Sequence, residues 1–267
     1  MKHILKIAAA AALFTSAQLQ AVELGFWATD GWTNFASEDT NDGGGNYYLN
    51  PGWGGQSFDA EHLYYKVTGS VLHLGLQTGF DVVDGHIEYG NKQYYAGDLA
   101  LSFDGATIGD DTSYEYGIDF GLYTKDYTSL NKTVADSTGR VNIIPGAPDP
   151  DKTDGEDPAG LYAVSGWNNN VYGGHHISDP FAISNATWVS SLLSNNAGQD
   201  GVHYWRTVSL DLSGTGLSLN NVDVHWTMSC GNDAINGNFS VPEPSILSLL
   251  GFSLLSLGFA RRRKSRA

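Results

Sequence analysis

Leu72, Leu74 and Leu76 alternate with His73, Gly75 and Gln77, the period-2 signature of a strand with one apolar face. The run His62 to Val67 precedes it, and Thr68-Gly69-Ser70 between the two is a short glycine-containing connection suited to a hairpin. The same alternation recurs at Leu99, Leu101 and Phe103, and at Tyr116, Ile118, Phe120 and Leu122. It returns at Val208, Leu210 and Leu212, and at Val222, Val224, Trp226 and Met228. No long segment keeps a 3.6-residue period; the nearest approach is Ala182 to Ser194, where Trp188 and Leu192 share one side and predict a short helix. Six or more one-sided strands need a second apolar layer, and with few helices that layer is another sheet. The pattern predicts an all-β fold, a β-sandwich with a jelly roll among its variants. No repeat with a period of roughly 20–50 residues appears, which sets solenoids and propellers aside.

Both ends of the chain break this pattern. Lys2, His3 and Lys6 precede an apolar stretch from Ile7 to Phe14 and then small residues, the layout of a secretory signal peptide over residues 1–21, with Ala17 and Ala21 as alternative cleavage points. At the other end, Ile246 to Ala260 is apolar without interruption and is followed by Arg261, Arg262, Arg263 and Lys264. These 15 residues would make about 22 Å of helix, short of the ~30 Å hydrocarbon core, so they span a bilayer only with help from the cationic end. That end is held on the cytoplasmic side, which places residues 22–240 outside as one extracytoplasmic domain. Pro242 and Pro244 keep helix or sheet from crossing into the apolar run, leaving an extended, accessible joint.

The joint, Val241-Pro242-Glu243-Pro244, together with the apolar run and basic end over residues 241–267, resembles the PEP-CTERM sorting signal of Gram-negative bacteria. The resemblance implies recognition by an exosortase, a transient inner-membrane intermediate, cleavage near Pro242-Glu243-Pro244, and delivery to the cell surface or the medium. The segments Gly54 to Glu61, Gln77 to Phe80, Tyr95 to Leu101, Tyr114 to Asp119 and His225 to Asp233 are similar to the body of one group of PEP-CTERM exported proteins. It implies no catalytic residue. A plain C-terminal membrane anchor is the alternative for the tail.

Charge narrows the partners. The two terminal segments hold seven of the 14 Lys and Arg and one of the 29 Asp and Glu, which leaves seven cationic and 28 anionic side chains in residues 22–240, a formal charge of −21. Such a field excludes nucleic acid and disfavours acidic polymers. Cys230 is the one cysteine, so no intrachain disulfide forms, and a buried structural role is the expectation for it.

Candidate chemistry is of three kinds. Asp59 with Glu61, or Glu115 with Asp119, share a strand face and would suit a carbohydrate-active hydrolase, although carboxylates this plentiful are expected mostly on solvated faces. Asp149, Asp151, Asp154, Glu156 and Asp157 place five carboxylates in nine residues, a donor set suited to structural Ca²⁺, with a solvated acidic turn as the alternative; no other cofactor is expected. Seven tryptophans offer stacking faces for sugar rings, and Trp27, Trp32, Trp53 and Trp167, which lie among Gly, Asn and Asp, are the candidates for ligand binding. The expectation is an exported, non-enzymatic surface or matrix protein, structural or adhesive, associated with extracellular polysaccharide.

Overall fold

The computed structural model describes residues 23–38, 55–89, 92–106, 111–122, 141–142, 159–169, 180–231 and 233–241. Residues 1–21, where a signal peptide is expected, Trp53, the acidic stretch Asp149 to Asp157 and everything from Pro242 onward, including the basic end, lie outside the described residues. Among the described residues one short α-helix, α1 (Gly25–Thr29), precedes the strands. The strands are β1 (Thr33–Ser37), β2 (Ala60–Thr68), β3 (Val71–Thr78), β4 (His86–Tyr89), β5 (Lys92–Tyr95), β6 (Leu99–Ser102) and β7 (Tyr116–Asp119). They continue with β8 (Val141–Asn142), β9 (Gly160–Asn169), β10 (Pro180–Ser191), β11 (Ser194–Asp200), β12 (His203–Asp211), β13 (Val222–Thr227) and β14 (Ala234–Phe239).

Two antiparallel sheets form the sandwich, ordered β1-β2-β3-β12-β11 and β10-β9-β7-β6-β13-β14, beside a small sheet β4-β5-β8. The predicted hairpin is β2 and β3: Thr68 pairs with Val71, and Gly69 turns the chain at φ 63°, a conformation that favours glycine. Leu63, Leu72, Leu74, Leu76, Val208 and Leu210 from the first sheet meet Leu99, Leu101, Ile118, Val222, Val224, Trp226 and Ile235 from the second in one core. The alternating leucines of the sequence are therefore the inward rows of two facing sheets. Among the described residues no helix is long and apolar enough to cross a membrane.

The expected helix at Ala182 to Ser194 is instead strand β10, which pairs with β9 along its length. Its register shifts at four places, so each bulge resets the two-residue alternation and hides the strand from a periodicity search. The Ser and Asn that crowd it compete with the backbone in a helix, and Ile183, Thr187 and Val189 are β-branched. Cys230 is 1 % exposed and part of the core cluster.

The outer face of the first sheet is not uniformly open. Gly75 points outward from β3, and an added Cβ there would come within 2.7 Å of the Trp27 ring, which α1 lays in the space that a side chain would fill. Trp27 stacks on Tyr64 at 4.2 Å between ring centroids with planes 10° apart. A second such pair lies on β11 and β12, where Gly198 faces Trp205 and its Cβ would approach that ring to 2.5 Å. Helix α1 thus acts as a plug on one part of the sheet, and the residues beneath it lose contact with water.

Candidate functional site

The plug carries a group of five aromatic rings. Phe26 lies 4.2 Å from Trp27 and 5.2 Å from Trp205, while Trp32 meets Trp27 edge-on at 5.1 Å and 89°. Tyr64 lies beneath, and the Phe26–Trp205 and Trp27–Trp32 separations fall in the range where aromatic pairs attract beyond simple burial. Trp27 and Tyr64 are fully buried, whereas Phe26, Trp32 and Trp205 are half-exposed and form the outward surface.

Beneath the rings runs a chain of polar contacts. The Trp27 indole N–H donates to Gln77 Oε1 at 2.7 Å, and the Gln77 amide donates to Glu61 Oε2 at 2.7 Å. Glu61 Oε1 accepts from Gln56 at 2.6 Å and meets His203 Nδ1 at 2.7 Å. Burial raises the Glu61 pKa, and the hydrogen bonds from Gln77, His203 and Gln56 oppose that rise by satisfying the carboxylate. The His203 side chain is 14 % exposed; with Nδ1 on Glu61, its Nε2 is left with no partner among the described residues. Farther along the same face, Ser194 donates to Ser209 Oγ at 2.7 Å, and Ser209 meets His73 Nδ1 at 2.7 Å. Burial lowers the His73 pKa and nearby Lys66 lowers it further, which favours the neutral ring beside the Ser209 hydroxyl.

The sequence candidates are distributed unevenly over this picture. Trp32 belongs to the exposed aromatic surface. Trp27 does not, because it is 0 % exposed and both of its faces are covered, which corrects its choice as a stacking residue. Trp167 is half-buried in the other sheet, with its ring over Gly117 and its N–H on the Tyr114 carbonyl at 2.9 Å. Trp205, Phe26 and His203 complete the site and were not singled out by the sequence; Trp205 sits on the outward row of β12, which its alternation with buried Arg206 and Val208 could have revealed. Val241 is half-buried at the end of the domain.

The carboxylates expected on solvated faces are corrected most sharply. Asp59, Glu61 and Asp119 are each 0 % exposed. The two proposed pairs are also divided: Glu61 bonds to His203, Glu115 accepts the Phe103 N–H at 2.7 Å, and Asp119 accepts the Gly121 N–H at 2.6 Å. Asp59 instead joins Glu38 and Asp233, whose ligand oxygens lie within 4.8 Å of one another. Three oxygens at that spacing could hold part of the shell of a hard divalent cation, which takes six to eight. Asp233 Oδ2 also accepts the Ala60 N–H at 2.8 Å and Oδ1 the Ala234 N–H at 2.9 Å.

Burial, reinforced by Glu38 and Asp59, holds the Asp233 pKa well above its ordinary 3.8. The folded state therefore keeps a proton that the unfolded chain has released, and this contribution to stability is complete below about pH 3.8 and declines as pH rises toward the folded pKa. We expect a higher Tm at pH 5 than at pH 7.5, and a smaller difference in Glu38→Gln. A Tm that stays level or rises over that interval would contradict the assignment.

Comparison with known proteins agrees with the end of the chain. Residues 240–264 match the PEP-CTERM protein-sorting motif. No curated protein and no solved structure matches the chain. The motif marks an exported protein targeted to an exosortase, its processing partner, on a route through the cell envelope toward the surface.

Proposed function

We propose that this chain is a non-catalytic, polysaccharide-associated protein of the cell surface or extracellular matrix of a Gram-negative bacterium, released from an inner-membrane intermediate when its tail is removed. The observation that carries the reading is the half-exposed group Phe26, Trp32 and Trp205 on the outer face of the five-stranded sheet. Sugar rings stack on such faces, while His203 Nε2 and the Ser194–Ser209 hydroxyls beside them supply hydrogen-bonding partners for sugar hydroxyls. The charge of −21 favours a neutral glycan over an acidic one. The separate partners of these carboxylates and the full burial of Asp59, Glu61 and Asp119 support binding over hydrolysis.

Affinity electrophoresis of the tail-processed protein through gels containing neutral glucans or alginate tests this. Retardation in at least one neutral glucan is expected, weakened about tenfold in Trp205→Ala and in Trp32→Ala, the loss of roughly 1.4 kcal/mol of stacking. No new reducing ends should form. Retardation unchanged in both variants would remove the aromatic surface from the function, and reducing ends abolished by Glu61→Gln would favour the hydrolase.

A further inference from the structure

The sorting motif begins inside the fold. Its match starts at residue 240, yet Val241 still donates its N–H to the Leu219 carbonyl at 2.8 Å and packs on the main core. From Val241 to Ile246, where the apolar run begins, there are five residue steps, at most about 18 Å of extended chain. In polyproline II, the conformation that prolines such as Pro242 and Pro244 favour, five such steps would measure about 16 Å. The headgroup layer takes up about 5–8 Å of this reach. With the tail in the bilayer, the corner carrying Val241 is held within about 10 Å of the headgroups, and so short a tether leaves no other end of the domain free to turn toward the membrane.

The composition of that end suits such contact. Residues 212–222, between β12 and β13, contain no Asp, Glu, Lys or Arg, and neither do residues 234–242. Leu217, Leu219 and Val241 are half-buried there, and Leu212 N–H bonds to the Ser70 carbonyl, which brings the uncharged β2–β3 turn to the same end. Three carboxylates flank it, and Asp104, beside Asn221, is exposed and accepts the Ser102 hydroxyl at 3.2 Å, while the other two are tied more closely to neighbouring groups. Asp211 accepts from the Ser70 hydroxyl and the Ser213 N–H, each at 2.9 Å. Asp223 accepts from the Ala106 N–H at 3.0 Å and the Asn238 amide at 2.8 Å. An acidic domain is repelled by anionic headgroups except where it shows them a neutral surface.

We propose that the end of the sandwich formed by Leu217, Ser218, Leu219 and Val241 is the face that rests on the bilayer surface until the tail is cleaved. This rests on the reading of the tail as a membrane anchor. The test uses the chain from residue 22 to 267 on phosphatidylethanolamine–phosphatidylglycerol vesicles containing a headgroup-nitroxide lipid. A fluorophore is placed on Ser218→Cys or Val202→Cys, both exposed positions, and the unsubstituted chain, whose Cys230 is 1 % exposed, is the labelling blank. Val202 stands at the opposite end of β12, whose nine residues span roughly 30 Å. Most of the fluorescence at Ser218→Cys should be lost and that at Val202→Cys retained, and ending the chain at Val241 should restore the former. Equal quenching at both positions, or none at either on vesicles with which the chain floats, would overturn the proposal. Failure to float with the vesicles would remove the anchor reading, and the proposal with it.

Discussion

Gly79→Ala should cost about 3 kcal/mol or more and leave little soluble folded protein, the upper end of what overpacking does. Gly79 follows β3, and its N–H bonds to the Asp59 carbonyl at 2.8 Å. A Cβ at this position would land on the Gln56 carbonyl oxygen, and within 2.6 Å of the Gln56 side-chain nitrogen. Backbone cannot yield as a flexible side chain can. The Gln56 carbonyl also accepts the Asp59 N–H, and its amide is one of the donors that hold buried Glu61. Displacing Gln56 therefore disturbs the carboxylate beneath the aromatic plug as well as the turn above it. Gly25→Ala is the control, since a Cβ there meets nothing within 4 Å and alanine suits α1 better than glycine. Urea midpoints at pH 7 compare them, and equal shifts for the two would show that the Gln56 contact relaxes freely.

Trp226→Ala should destabilise the domain by about 3–5 kcal/mol, and Trp226→Phe by about 1–3 kcal/mol. Trp226 is 0 % exposed on β13, an interior strand of the six-stranded sheet, and packs across the sandwich toward Phe80 at 6.2 Å. Its indole N–H donates to the Gly97 carbonyl at 3.0 Å, a bond that phenylalanine cannot replace. Alanine adds a cavity to that loss, because a sandwich core fixed by two sheets collapses only partly around a missing ring. The urea midpoint should fall while the m-value holds. A shift below about 1 kcal/mol for the alanine variant would mean that the core refills the space.

The sequence made the inward rows of β3, β6, β7, β12 and β13 legible because each keeps an unbroken alternation facing one core. It concealed β10 because bulges break the period. It also misplaced Asp59 and Glu61 at the start of β2, for a reason that lies outside the strand. Buried residues occupy both faces from Ala60 to Tyr64, since α1, Gln77 and His203 cover the side that alternation assigns to water. The contacts responsible are distant in sequence: His203 lies 142 residues from Glu61, and the Ala60 N–H bonds to Asp233 across 173. Trp27 looked like a ligand surface among its polar neighbours, but whether it faces a sugar or Gly75 depends on where α1 docks, which the local pattern does not encode.

The strand order also bears on when this protein can fold. β3 waits for β12, and β6 waits for β13, so neither sheet is complete until residues 203–227 have been delivered, and β14 ends only one residue before the sorting motif begins. Pairings this distant are slow to close, because the intervening chain must be ordered first. A chain arriving N-terminus first would present its early hairpins as unpaired edges throughout delivery. Its architecture can close no earlier than the emergence of its address, so the sorting motif becomes available before the domain that carries it has had time to mature.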